Sequence, residues 1–85
     1  MNISFTPKAW EHYQKLVLED KRRLSKINRC LISILREGPL EGEGKPEKLK
    51  HKRGYSRRID EKNRLVYDVS IDRIIIYSCS GHYED

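Results

Sequence analysis

Cysteine is scarce in this chain, and the two residues present, Cys30 and Cys79, stand far apart with no second pair. A disulfide scaffold or a zinc site needs more sulfur at closer spacing, so neither is expected, and a reducing, cytoplasmic setting follows. Apolar residues are also thin at 36%, and no run approaches the roughly 18 residues of a membrane span, which argues against a membrane role. The start, Met1-Asn2-Ile3-Ser4-Phe5, has neither the basic flank nor the apolar stretch of a signal peptide. No glycine-rich phosphate cradle, metal-ligand spacing or nucleophile elbow occurs, so neither a metal nor a cofactor is expected. Eighty-five residues suffice for one small domain over 1–85, with a thin margin of stability.

Positive charge is what the chain has in excess, and it is concentrated. Lys and Arg number 18 against 13 Asp and Glu, a net of +5. Residues 45–64 hold nine of the bases and only three of the acids, a net of +6, so the rest of the chain is slightly acidic. A basic surplus confined to one segment is the footprint of a polyanion site, and nucleic acid is the favoured partner. The plainer reading, a solvated loop, leaves the concentration unexplained.

Phe5-Thr6-Pro7 reads as a strand end, an N-capping Thr and a Pro in the first helical turn. Trp10, Tyr13 and Val17 recur at helical spacing and predict the buried stripe of a helix ending near Glu19. Asp20 caps a second helix with Leu24, Ile27, Leu31, Ile34 and Leu35 on its buried face, and Gly38-Pro39 stops it. Residues 39–46 are a loop on composition. A strand is predicted over 55–59, and a second over 64–69 with Leu65, Tyr67 and Val69 on one face. After a turn at Ser70-Ile71-Asp72, residues 73–79 should form a central strand, because Ile74, Ile75 and Ile76 make both its faces apolar. This order predicts an α+β fold, with two N-terminal helices packed on one face of a small antiparallel sheet.

The residues able to do chemistry are scattered: Glu47, Lys50, His51, Arg58, Arg64, His82 and Tyr83. Cleaving an RNA phosphodiester without a metal needs a base for the 2′-hydroxyl, an acid for the departing 5′-oxygen, and cations around phosphorus. Glu47 can be the base, His82 the acid, and Arg58 and Arg64 the cationic clamp, helped by Lys50. Tyr83 or Tyr55 can stack on a nucleobase. His12 and His51 have no visible partner and read as structural. Each of the others also has a plain reading as a solvated charge or a surface ring. The clamp carries a geometric condition: Arg58 and Arg64 share a sheet face only if an odd-numbered loop joins their strands, for example Asp60-Glu61-Lys62 with a left-handed residue near its end.

Four segments together carry a resemblance: Gly42-Glu43-Gly44-Lys45-Pro46-Glu47-Lys48-Leu49-Lys50-His51, Ser56-Arg57-Arg58-Ile59, Asn63-Arg64-Leu65-Val66-Tyr67, and the closing His82-Tyr83. In combination, and with Trp10, Tyr13 and Asp20-Lys21-Arg22 before them, the chain resembles the YoeB/Txe toxins of bacterial toxin–antitoxin systems, within the RelE/ParE group. The resemblance implies a RelE-like, microbial ribonuclease-like fold. It also implies a metal-independent endoribonuclease that cuts messenger RNA in the ribosomal A site, held off by a cognate YefM-type antitoxin. By the same resemblance Glu47 is the general base, Arg64 and Arg58 support the phosphate, and Lys50 is an auxiliary cation. His82 is then the general acid and Tyr83 a substrate-contacting aromatic. Tyr55 stands where such toxins commonly carry a Trp, and Glu84 and Asp85 extend past their usual His-Tyr end. A homodimer is consistent with the resemblance. Two other functions remain open at this point: a non-nuclease toxin like the ParE branch, for which Glu47 and His82 would be dispensable, and a basic RNA-binding module.

Overall fold

In the computed structural model, which describes residues 1–81, Thr6 starts the first helix by accepting the Ala9 N–H on its side chain, and Pro7 fills the first turn. The elements are β1 (Asn2–Phe5), α1 (Pro7–Glu19), α2 (Lys21–Glu37), β2 (Glu47–Lys48), β3 (Tyr55–Arg58), β4 (Arg64–Val69) and β5 (Arg73–Ser78). Asp20 alone separates the helices. Its N–H bonds back to the Leu16 carbonyl, and its carboxylate accepts the Arg23 N–H of the next helix.

The five strands lie in the order β1-β5-β4-β3-β2. Four of them pair antiparallel, as expected, but β1 pairs parallel with β5, Ile3 opposite Ile74 and Phe5 opposite Ile76. The sheet is therefore mixed, not purely antiparallel. A parallel pair needs a long crossover, and both helices and three strands lie between these two partners. The β5 strand is interior, as its isoleucines predict. The two-residue strand β2 is too short to leave a pattern in the sequence.

Both helices cover one face of the sheet. Ala9 and Leu16 of α1, with Ile27, Cys30, Leu31 and Ile34 of α2, meet Leu65, Tyr67, Ile74, Ile76 and Cys79 in one core. Each fully buried aliphatic side chain there contributes about 1.5–3 kcal/mol of transfer free energy. The predicted face of α2 is buried at Ile27, Leu31 and Ile34, with Leu24 packed against the core, whereas the α1 stripe is rotated to Ala9 and Leu16. Trp10 is 50% exposed, and Val17 and Leu35 are also exposed, while Cys30 is fully buried. Trp10 sits at the rim instead, its ring 5.5 Å from Phe5 and 6.1 Å from Tyr13.

Arg57 is the least expected core residue. Its neighbour Arg58 is exposed, yet Arg57 is completely buried. Its five N–H groups all find neutral oxygens: Nε donates to Tyr67 Oη (2.8 Å), Nη1 to Ser33 Oγ (2.9 Å) and the Glu43 carbonyl (2.8 Å), Nη2 to the carbonyls of Gly38 (2.8 Å) and Glu41 (2.7 Å). Tyr67 Oη in turn donates to the Pro39 carbonyl at 2.6 Å. The loop over 38–44 is thus wrapped around a cation, and that loop delivers β2 to the sheet. At Gly44 the approach is too close for a side chain. Gly44 has φ +87°, and a Cβ there would lie 3.0 Å from the Arg58 carbonyl oxygen and 3.1 Å from Cys30 Sγ.

Candidate active site

The sheet's other face, away from the helices, gathers three of the described residues singled out for chemistry, Glu47, Arg58 and Arg64. In β4, Leu65 and Tyr67 point into the core, so Arg64 and Val66 point the other way. The register places Arg58 directly opposite Arg64, Ser56 opposite Val66, and Glu47 opposite Ser56. Glu47, Ser56, Arg58 and Arg64 therefore share one face. Two guanidinium groups directly opposed on a ladder destabilise it, a cost that an anion between them would offset.

Glu47 and Arg64 are paired. Glu47 Oε2 lies 3.5 Å from Arg64 Nη2, with the Glu47 side chain 71% exposed and that of Arg64 19%. The Arg64 guanidinium is aimed from below: Nε and Nη2 donate to Ser56 Oγ at 3.2 and 2.9 Å, and Ser56 is buried. A fixed cation thus carries an exposed carboxylate at its edge. Such an exposed pair is worth only about 0–1 kcal/mol, so a phosphate can displace it at little cost. The Ser56 contribution was missed in the sequence. It shows only in the Arg64 hydrogen bonds and in the Glu47–Ser56 pairing, and β2 could not be foreseen.

The odd-loop condition on Arg58 and Arg64 is met. Ile59 and Asp60 both direct their N–H groups to the Asn63 carbonyl (2.9 and 3.2 Å), leaving three residues, Asp60-Glu61-Lys62, at the turn. The left-handed residue expected near its end is not there, since Lys45 is the one non-glycine with positive φ among the described residues. Asp60 does that work instead, its Oδ1 accepting the N–H groups of Lys62 and Asn63, each at 2.8 Å. Burial pushes the Asp60 carboxyl up, but the hydrogen bonds from Lys62, Asn63 and Arg23 outweigh it and hold the group below its ordinary range.

The chain reaches the edge of this face at Gly81, whose carbonyl accepts the Arg64 N–H at 3.1 Å. His82 and Tyr83, with the Glu84-Asp85 extension, lie outside the described residues. Lys50 is exposed in the 49–54 connection between β2 and β3. Tyr55 is not brought to this face: it stands opposite the buried Tyr67, their ring centroids 5.6 Å apart, and packs against the core. Strand alternation turns it to the helix side, away from Glu47, Arg58 and Arg64. His12 is structural, as expected, its Nδ1 accepting the Cys79 N–H at 3.3 Å.

The cationic surface is also redistributed. Arg57 is spent in the core, while Arg22, Arg23, Lys26 and Arg29 of α2, outside the basic segment, line a cleft of about 420 Å³ with Asp20, Ile59 and Asp60. A smaller cleft of about 240 Å³ joins Lys26, Lys45 and Arg58. A net-charge count hid the helical group, since acids elsewhere cancel it. Among the described residues no cluster of His, Cys, Asp or Glu is suited to hold a metal ion, and no helix is long and apolar enough to cross a membrane.

Comparison with known proteins agrees with the fold and the motif pattern. The model of the YoeB-like toxins of bacterial type II toxin–antitoxin systems matches residues 5–83. Toxin YoeB of Escherichia coli strain K12 is 44% identical over 85 residues, covering 98% of this chain and 100% of that protein. The YoeB dimer from Staphylococcus aureus superposes with a TM-score of 0.92 at 50% identity, covering 98% of each chain. YoeB in a heterotetrameric YoeB–YefM complex from the same organism does so at 0.91, with the same identity and coverage.

Proposed function

The chain belongs to the YoeB-like toxins of bacterial type II toxin–antitoxin systems, and from that premise we propose that it is a ribosome-dependent endoribonuclease that cuts messenger RNA in the A site and so stops translation. The observation that carries this reading is the Glu47–Arg64 pair, 3.5 Å apart on the strand face away from the helices, with Arg58 directly opposite Arg64.

The mechanism needs no metal. The Glu47 carboxylate takes the proton of the 2′-hydroxyl, and the freed 2′-oxygen attacks the adjacent phosphorus. Arg64, held by Ser56, and Arg58 neutralise the charge that grows on the non-bridging oxygens, with Lys50 as a further cation. His82 gives a proton to the departing 5′-oxygen, and Tyr83 contacts the substrate. The products are a 2′,3′-cyclic phosphate and a 5′-hydroxyl end. General acid and base each supply about 10²–10⁴-fold.

The partners in this reading are the ribosome, the messenger and a YefM-type antitoxin, and the chain works in the cytoplasm. The Staphylococcus aureus relatives, solved as a dimer and with YefM, support a homodimer and an antitoxin complex here as well. A partly disordered acidic segment that orders on the exposed guanidinium groups would mask the site. Mapping 5′ ends on a reporter messenger in a translation extract tests the reading. New ends should appear with wild type and vanish with Glu47→Gln and with His82→Gln. Ends that persist in both variants would overturn it.

A further inference from the structure

A guanidinium is a planar fork with two edges that each present a pair of N–H groups: a side edge, Nε with Nη2, and an end edge, Nη1 with Nη2. In Arg64 the side edge is occupied. Ser56 Oγ accepts from Nε at 3.2 Å and from Nη2 at 2.9 Å, so one oxygen bridges both donors of that edge. Ser56 is 4% exposed and lies within a strand, which makes it a rigid acceptor.

The register explains where this turns the cation. Arg64 stands opposite Arg58, whereas Ser56 stands opposite Val66, two residues further along β4. The Arg64 side chain therefore runs diagonally across the ladder to reach Ser56. That path leads away from Arg58 and toward Glu47, which is opposite Ser56 on β2. Glu47 Oε2 accordingly lies 3.5 Å from Nη2, the atom that the two edges share. A hydroxyl fixes the group without neutralising it. Arg23 shows the contrast, since its Nε lies 2.8 Å from the Asp60 carboxylate and 3.3 Å from that of Asp20.

We propose that Ser56 is a positioning residue for Arg64: by filling the side edge of the guanidinium, it commits Arg64 to take the scissile phosphate on its end edge, beside the Glu47 carboxylate. The inference rests on the reading of Arg64 as the phosphate-supporting cation. An arginine freed from Ser56 can turn and offer either edge, so it would no longer distinguish the two non-bridging oxygens. A misplacement of about 1 Å costs on the order of 10²-fold.

The test is single-turnover cleavage of a ribosome-bound messenger by wild type, Ser56→Ala, Arg64→Ala and the double variant. Each is run on an ordinary messenger and on the two separated phosphorothioate diastereomers at the cleaved linkage. Loss of a fixed donor to a charged oxygen costs about 10²–10³-fold, and sulfur, a weaker acceptor, forfeits part of that, so wild type should prefer one diastereomer by about 10-fold. Ser56→Ala should lose about 10–100-fold on the ordinary messenger with little change in the half-saturating concentration. Its diastereomer ratio should fall to that of Arg64→Ala, and it should add no further loss in the Arg64→Ala background. A wild-type ratio in Ser56→Ala, or a defect that multiplies with that of Arg64→Ala, marks a merely structural lesion and overturns the proposal. If Ser56→Ala does not fold, Ser56→Cys, close in volume but a weak acceptor, should show the same collapse of the ratio. The two readings fail separately. A wild-type rate in Arg64→Ala refutes the phosphate cation, whereas a slow Arg64→Ala beside a fast Ser56→Ala refutes only the role of Ser56.

Discussion

Replacing Arg57 by Lys keeps the charge and most of the volume, yet should cost the chain much of its stability. The guanidinium donates five hydrogen bonds of 2.7–2.9 Å to neutral oxygens, three of them loop carbonyls, with no solvent exposure. An ammonium has three donors, so at least two acceptors lose their partner. A hydrogen bond to a charged group contributes about 1.5–3 kcal/mol, giving a loss of about 3–6 kcal/mol. A domain of this size has only about 4–13 kcal/mol in total, and the loss corresponds to a fall in Tm of roughly 12 °C or more. Thermal unfolding followed by circular dichroism reads this directly. Arg58→Lys, one residue along and exposed, is the control and should stay within about 0.5 kcal/mol of wild type. Equal melting temperatures for the two variants would refute the claim that the 38–44 loop is organised around a buried cation.

Other expectations follow from the same geometry. Gly44→Ala forces a Cβ to within 3.0 Å of a backbone oxygen at positive φ, and should cost about 1–3 kcal/mol in urea unfolding. Burial pushes the Cys79 thiol up to about 11, and the Cys30 thiol up as well. Neither should react with iodoacetamide at neutral pH until the protein is unfolded. The Cys79 contribution to stability is complete below its ordinary value of 9.0 and is lost as pH rises toward about 11, so melting temperature should fall over that window. Burial, then the charge of Lys8, lowers the His12 pKa, and its neutral Nδ1 accepts the Cys79 N–H. Its stabilisation is present above the ordinary value of 6.5 and is lost as pH falls through the lowered one. His12→Gln should flatten the dependence of melting temperature on pH below neutrality.

The sequence-level reading located the helices closely because their signals are local: Thr6 and Pro7 at one end, Asp20 between, Gly38 at the other. It placed most of the buried face of α2 but misjudged that of α1, since a helical stripe of aromatics marks a core only when the sheet lies on that side. Trp10 instead closes the rim beside Phe5. The parallel pairing of β1 is long-range and leaves no local mark. Adjacent arginines look alike in a sequence, yet strand alternation sends Arg57 inward and Arg58 outward. The same alternation removes Tyr55 from the face to which Glu47, Arg58 and Arg64 come. Ser56 was invisible for another reason: it matters through two hydrogen bonds from Arg64 on the neighbouring strand.

The central claim is that Glu47 draws a proton from a 2′-hydroxyl while Arg64 steadies the adjoining phosphate. Single-turnover cleavage of a ribosome-bound messenger with one 2′-deoxy nucleotide at the cut position tests it most directly. The claim predicts no product from that messenger, and from its all-ribose counterpart a 2′,3′-cyclic phosphate end formed about 10²–10⁴-fold more slowly by Glu47→Gln. A cut at the deoxy position, or a Glu47→Gln rate equal to wild type, would contradict it.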